Sequence, residues 1–133
     1  MNDLMGGHVP SLIASAPTAT GFMHEGRIRA LAATGAKRSP FDPDIPTIAE
    51  QGFPGYAATN WYAAVVSSKV PPEIVATLNA ILIKALNAPE VRAAYGQQGM
   101  ETLASTQAEA AAHIARETGI WKKVIADAGI RLE

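Results

Sequence analysis

The residues best suited to metal ligation or proton transfer are three histidines, His8, His24 and His113, and their spacing supports neither role. None stands four residues from another and no His-Glu-x-x-His run is present, so two imidazoles do not share one helical face around a metal ion. His113 and Glu117 are four apart on a helical stretch, the spacing of a surface pair worth about 0.2–0.5 kcal/mol. Asp42, Asp44 and Glu50 could be paired carboxylates, but Pro43 and its neighbours place them in a solvated turn. Gly6-Gly7 lacks the G-x-G-x-x-G spacing of a phosphate cradle and precedes an apolar run instead of following one. With no cysteine, no Gly-x-Ser-x-Gly and no Ser-x-x-Lys, the chain offers no nucleophile. We therefore expect no enzyme, no metal site and no cofactor.

The elements that carry these residues are short in the first half and helical in the second. Val9–Ala14, following Gly6-Gly7, and Arg29–Thr34 are short apolar runs of the kind that form buried strands. Between them Pro17 to Glu25 suits a short helix, with Pro17 in its first turn and Gly26 as its stop. That connection is long enough for a crossover, so the two runs are expected to lie side by side and parallel. Ser39 to Pro46 is a proline-punctuated loop, after which Thr47–Gln51 is expected to make one helical turn closed by Gly52. A third strand is expected at about Asn60 to Ser67. Its Trp61 and Tyr62 point to opposite faces, one into the core and the other free to border a cleft.

From Pro71 the pattern changes to a period of 3.6. Pro72 and Glu73 open a helix whose Ile74, Leu78, Ile81, Leu82 and Ala85 share a face. Asn87-Ala88-Pro89-Glu90 restarts a shorter helix that ends near Gly99, and Glu101 to Ala104 is extended. Thr106-Gln107-Ala108-Glu109 has the form of a capping box, and Gly129-Ile130 the form of a left-handed stop with an apolar residue behind it. Trp121, Val124, Ile125 and Ala128 form the last apolar stripe, and Trp121 is expected to be largely buried. The fold class is α/β, with a short, mostly parallel sheet and flanking helices.

The 133 residues are 48% hydrophobic and 17% charged, the composition of a globular chain. The net charge is −1, and Lys37-Arg38 is a pair rather than a basic cluster, so no nucleic-acid partner is expected. Met1 to Gly7 has neither a charged n-region nor an apolar h-region, so on this sequence alone the chain would be expected to stay in the cytoplasm.

Several segments together are distinctive. They include Asp3-Leu4-Met5-Gly6-Gly7-His8-Val9, Gly26-Arg27-Ile28-Arg29-Ala30-Leu31-Ala32 and Lys37-Arg38-Ser39-Pro40. Asp44-Ile45-Pro46-Thr47-Ile48-Ala49-Glu50-Gln51-Gly52 and Trp121-Lys122-Lys123-Val124-Ile125 complete the set. With these the chain resembles the substrate-binding receptors of the tripartite tricarboxylate transporters, the Bug family, over nearly its whole length and in their C-terminal half only. The resemblance implies part of a periplasmic-binding-protein type II-like fold. Residues 1–58 would be the end of the second, ligand-binding lobe. Residues 59–133 would supply the crossing strand and the C-terminal helices that pack on the first lobe in full-length relatives. It also implies a small carboxylate solute and membrane transporter subunits as partners, and a periplasmic location. Family members usually carry aspartates at the positions of Pro10 and Ala14. The candidate ligand-binding set at that strand end is therefore Ala14, Ser15 and Thr18, whose hydroxyls and backbone N–H groups can serve a carboxylate.

Two readings follow: a receptor fragment, or a truncated chain that self-associates and captures no solute. Apolar stripes without a covering lobe make a homo-oligomer the expectation in either case.

Overall fold

A computed structural model describes residues 1–131. Among them are five helices: α1 (Asn2–Met5), α2 (Ala16–His24), α3 (Pro72–Leu86), α4 (Pro89–Gly96) and α5 (Gln107–Asp127). They fall into two compact units. The first comprises Met1–Tyr62 with Asn87–Thr102, and the second Ala63–Leu86 with Leu103–Glu133.

The helices begin and end where local chemistry dictates. α2 has Pro17 in its first turn, where the missing N–H costs no helical bond. It stops at Gly26, whose φ of 69° lies in the left-handed region. There the Arg27 N–H reaches the Phe22 carbonyl at 2.9 Å and the Gly26 N–H the Met23 carbonyl at 2.9 Å, the two bonds of a Schellman stop. α5 opens on the expected capping box. The Glu109 N–H donates to Thr106 Oγ1 at 3.2 Å, and the Thr106 N–H donates to Glu109 Oε2 at 2.8 Å. It closes at Gly129 with the same pair of bonds, Ile130 N–H to Ile125 O and Gly129 N–H to Ala126 O. α1 had no counterpart among the expected elements; it is a single turn ahead of Gly6.

In the first unit the segment around Leu31–Thr34 acts as a backbone hub. Ala33 forms a parallel bridge with Thr47, its N–H on the Pro46 carbonyl at 2.8 Å and its carbonyl accepting from the Ile48 N–H at 2.9 Å. The Gln51 side-chain amide donates to Leu31 O, and the Ala58 N–H to Thr34 O, both at 2.8 Å. α4 is tied to the same unit through small residues. A Cβ on Gly96 would stand 2.8 Å from the Phe41 ring, and one on Gly99 would stand 2.9 Å from Thr20 Oγ1. Thr20 is accordingly buried, its hydroxyl donating to the Ala16 carbonyl at 2.9 Å.

Three expectations are corrected here. No strand forms among the described residues, and the Ala33–Thr47 bridge is all that stands for the parallel sheet. Val9–Ala14 and Arg29–Ala33 do not pair with each other. A strand is stabilised by the ladder beside it, and the apolar runs at 9–14 and 62–66 find no ladder partner among the described residues. Nor are these runs buried: Ile13 and Tyr62 are both 81% exposed. Thr47–Gln51 is a turn with one bond, Gln51 N–H to Ile48 O at 3.1 Å, rather than a helical turn. Trp121 is 42% exposed, its indole N–H donating to Glu117 Oε2 at 3.2 Å, because no facing surface among the described residues covers the α5 stripe.

The buried side chains are Thr20 and Thr47, with no buried hydrophobic residue among those described. The accessible surface is 10,314 Å², against roughly 6,700 Å² for a compact chain of 13.9 kDa. The apolar faces of α3 and α5 exist as the periodicity demands, but they lie open.

Candidate functional site

The candidate set Ala14, Ser15 and Thr18 sits at the start of α2, in the first unit. Ser15 holds the N-cap position with extended backbone (φ −71°, ψ 150°), yet its hydroxyl makes no capping bond to the helix. It lies instead 3.0 Å from Thr18 Oγ1. The Thr18 and Ala19 N–H groups are spent on the Ser15 carbonyl, at 3.0 and 3.2 Å. Pro17 has no N–H to give, so Ala16 contributes the forward-facing amide of the first turn. The structure thus brings Ser15 and Thr18 together as a hydroxyl pair at the positive end of a helix. Ala14 is adjacent in the chain and exposed, and its methyl adds no polar group. One hydroxyl hydrogen is spent within the pair, which leaves the other hydroxyl and the Ala16 amide to donate to an oxyanion.

A second constellation was not foreseen. Arg38, in the Lys37-Arg38 pair, lays its Nε 3.0 Å from both carboxylate oxygens of Glu50 and its Nη1 3.0 Å from the Pro43 carbonyl. Glu50 is held from its other side as well. The Thr47 N–H donates to Glu50 Oε2 at 2.7 Å, and the Glu50 N–H donates to Thr47 Oγ1 at 3.1 Å. These are the reciprocal bonds of a capping box closed on a turn instead of a helix. The Arg38 guanidinium and then the Thr47 amide hold the Glu50 carboxyl below the ordinary value of 4.5. Glu50 is therefore not the loose carboxylate of a solvated turn. The signal for this arrangement was present as Thr47-x-x-Glu50, the same pattern that marks Thr106-x-x-Glu109.

Around this cluster lies an open depression lined by Ala36, Lys37, Thr47, Pro54 and Gly55 along with Arg38 and Glu50. Arg38 and Glu50 are both about half exposed, so their ion pair is screened and contributes little on its own. Its effect is to set the path of the loop between Lys37 and Pro46. His24 Nε2 stands 3.3 Å from Asp42 Oδ1, a further link from α2 to that loop. On α5, His113 Nδ1 accepts from Arg116 Nη2 at 2.6 Å, since a guanidinium has only donors to offer.

Residues 1–130 match the model of the tripartite tricarboxylate transporter family receptor. The chain is 32% identical over 131 residues to protein BugT of Bordetella pertussis, covering 98% of this chain and 40% of that protein. It is 34% identical over 128 residues to a protein encoded in the tcbD-tcbE intergenic region of a Pseudomonas species, covering 96% of this chain and 38% of that one. It therefore spans about two fifths of the length of these relatives. Among solved structures, the R. palustris protein Rpa4515 with adipate matches with a TM-score of 0.86 and 33% identity, over 96% of this chain and 43% of that one. The periplasmic binding protein BugD matches with a TM-score of 0.86 and 27% identity, over 100% of this chain and 45% of that one. The fold is thus like that of part of a periplasmic binding protein. By sequence and by structure alike, the chain belongs to the tripartite tricarboxylate transporter receptor family.

Proposed function

We propose that this chain acts as part of a periplasmic solute receptor, taking a small carboxylate at the start of α2 and serving the membrane subunits of a tripartite transporter. The observation that carries the reading is the match over residues 1–130 to the receptor family. The likeness to an R. palustris protein solved with adipate supports an aliphatic dicarboxylate as the ligand. In this reading the Ser15–Thr18 bond gives way to the carboxylate, so that both hydroxyls and the Ala16 amide donate to it, and the α2 dipole favours its charge. Ala14 shapes the approach without bonding. Residues 1–58 then belong to the ligand-binding lobe. Residues 59–133 cross back and supply helices that pack on the first lobe in full-length receptors, a reading supported by the apolar faces of α3 and α5, which are open among the described residues.

The test is a titration of the purified chain with adipate, followed by amide NMR. Saturable shifts confined to Ala14–Ala19, lost in Ser15→Ala with Thr18→Val, support the assignment. Shifts that persist in the double variant would move the site elsewhere, and no shift for any of a series of dicarboxylates would end the carboxylate reading.

A second reading, a self-associating chain without solute capture, draws on one observation: no hydrophobic side chain is buried among the described residues. The same titration separates the two, because only the receptor reading requires a response at Ser15 and Thr18.

A further inference from the structure

We propose that Gly99 is a positioning residue for the carboxylate site at the start of α2, fixing the direction of the Ala16 amide; the inference rests on the receptor reading above. α4 ends in a Schellman stop, the Met100 N–H on the Tyr95 carbonyl at 3.1 Å and the Gly99 N–H on the Gly96 carbonyl at 2.9 Å. Gly99 carries the left-handed backbone of that stop, with a φ of 68°, and lies in the same compact unit as α2. A Cβ on Gly99 would stand 2.9 Å from Thr20 Oγ1 and 3.1 Å from the Ala16 Cβ. Those two residues are themselves joined, the Thr20 hydroxyl donating to the Ala16 carbonyl at 2.9 Å from a buried position. The backbone of residue 99 therefore lies against the turn that carries the Ala16 amide.

The contact falls on the side of α2 away from the hydroxyl pair. Ala16 and Thr20 share a helix face, while Thr18, two residues from each, lies about 160° round the axis from both. Gly99 thus supports the first turn from behind and leaves Thr18 free to meet a ligand. The support is itself held in place. Gly96 approaches the Phe41 ring so closely that a Cβ would stand 2.8 Å from it. The same loop reaches the far end of α2, where Asp42 Oδ1 lies 3.3 Å from His24 Nε2. α2 is therefore braced at its Ala16 end by the α4 stop and at its His24 end by the loop on which that stop rests. A methyl group at position 99 has no space to enter, so the atoms that must retreat belong to α2. Their retreat turns the Ala16 amide, and a hydrogen bond weakens as its donor is turned off line.

The experiment compares Gly99→Ala with Gly26→Ala by amide NMR of the whole chain, without and with adipate. Both substitutions place alanine at a φ near +70°, but a Cβ at Gly26 meets nothing within 4 Å. Without ligand, Gly99→Ala should displace the Ala16 and Thr18 amide resonances, and Gly26→Ala should leave them in place. With adipate, Gly99→Ala should raise Kd about two- to tenfold, the worth of one hydrogen bond, and Gly26→Ala should not. Should Gly99→Ala fail to fold, the comparison moves to a Thr20→Ala background, where the Ala16 methyl alone opposes a side chain at 99. There Gly99→Ala should still displace the Ala16 amide and raise Kd. If the wild-type chain binds adipate and Gly99→Ala binds it equally well, the positioning role is overturned and the receptor reading stands. Equal weakening by Gly26→Ala would also overturn it, since lost stability rather than the contact would then be the cause. No response of the wild-type chain to adipate would overturn both.

Discussion

Replacing Thr106 with alanine tests the best-defined local interaction in the second unit. The Thr106 hydroxyl accepts from the Glu109 N–H at 3.2 Å and lies 2.8 Å from Glu109 Oε2. The substitution orphans the Glu109 amide but leaves the other half of the box, the Thr106 N–H on the carboxylate, in place. Loss of an N-cap hydroxyl costs about 1 kcal/mol, within a range of about 0.5–2. Because α5 buries no side chain, little tertiary packing masks the effect, and the loss should appear as fraying of the first turn. Faster amide exchange at Ala108, Glu109 and Ala110, together with a lower urea midpoint, would register it, and Thr106→Ser should restore both. A titration gives an independent reading. Two contacts depress the Glu109 carboxyl, the Thr106 backbone first and its hydroxyl second, so the alanine variant should titrate higher than wild type yet still below 4.5. If exchange, midpoint and titration are all unchanged in Thr106→Ala, the capping box does not form and the placement of α5 is wrong.

Three more outcomes are expected. Arg38→Gln should raise the Glu50 titration midpoint towards 4.5, read by side-chain carboxyl NMR, since Arg38 is the leading cause of its depression. With a lowered folded value, the contribution of Glu50 is present above 4.5 and is lost as pH falls through the folded pKa, so the variant should be less stable than wild type above 4.5 and converge with it on the acid limb of a stability profile. Gly99→Ala should destabilise more than Gly26→Ala in urea melts. Both have φ near +70°, worth about 1–2 kcal/mol to a side chain, but only Gly99 would also press its Cβ to 2.9 Å from Thr20 Oγ1. Equal losses would mean α4 does not pack on α2 at that point. Adipate should bind the isolated chain with a Kd of about 1 mM or weaker by calorimetry, because its candidate site is one open wall.

What the sequence made legible was local. Pro17 and Gly26 bracket α2 within a residue of the expected limits, and Thr106 with Glu109, then Gly129 with Ile130, bracket α5, because caps and Schellman stops are built within a few residues. Ser15 and Thr18 meet for the same reason, standing three apart at a helix start. The strands were misread because pairing is a property of two segments. Val9–Ala14 has the composition of a buried strand, but without a ladder beside it the run remains irregular and exposed. Trp121 fails similarly: its place on a stripe follows from period, while its burial requires a surface the stripe itself does not provide. Arg38 and Glu50, twelve residues apart, fall between these cases. Thr47-x-x-Glu50 is readable as a cap, but prolines at 43 and 46 direct attention to the loop instead of to the carboxylate that orders it.

The same distinction explains why the binding reading and the open faces belong together. A pocket for a small solute encloses most of its ligand, and enclosure needs walls from more than one direction. In the proposed reading Ser15, Thr18 and the Ala16 amide supply one wall, on a helix stopped at Gly26 with Thr20 buried. Hydroxyl and amide donors can orient a carboxylate there, but water competes for every bond while the opposite side is open. On that reading, the start of α2 is the element that would orient a ligand. The unpaired apolar runs and the uncovered α3 and α5 stripes are the packing counterpart of that one-sided site. Whatever covers them adds stability through burial, and affinity too only if it also faces Ser15 and Thr18.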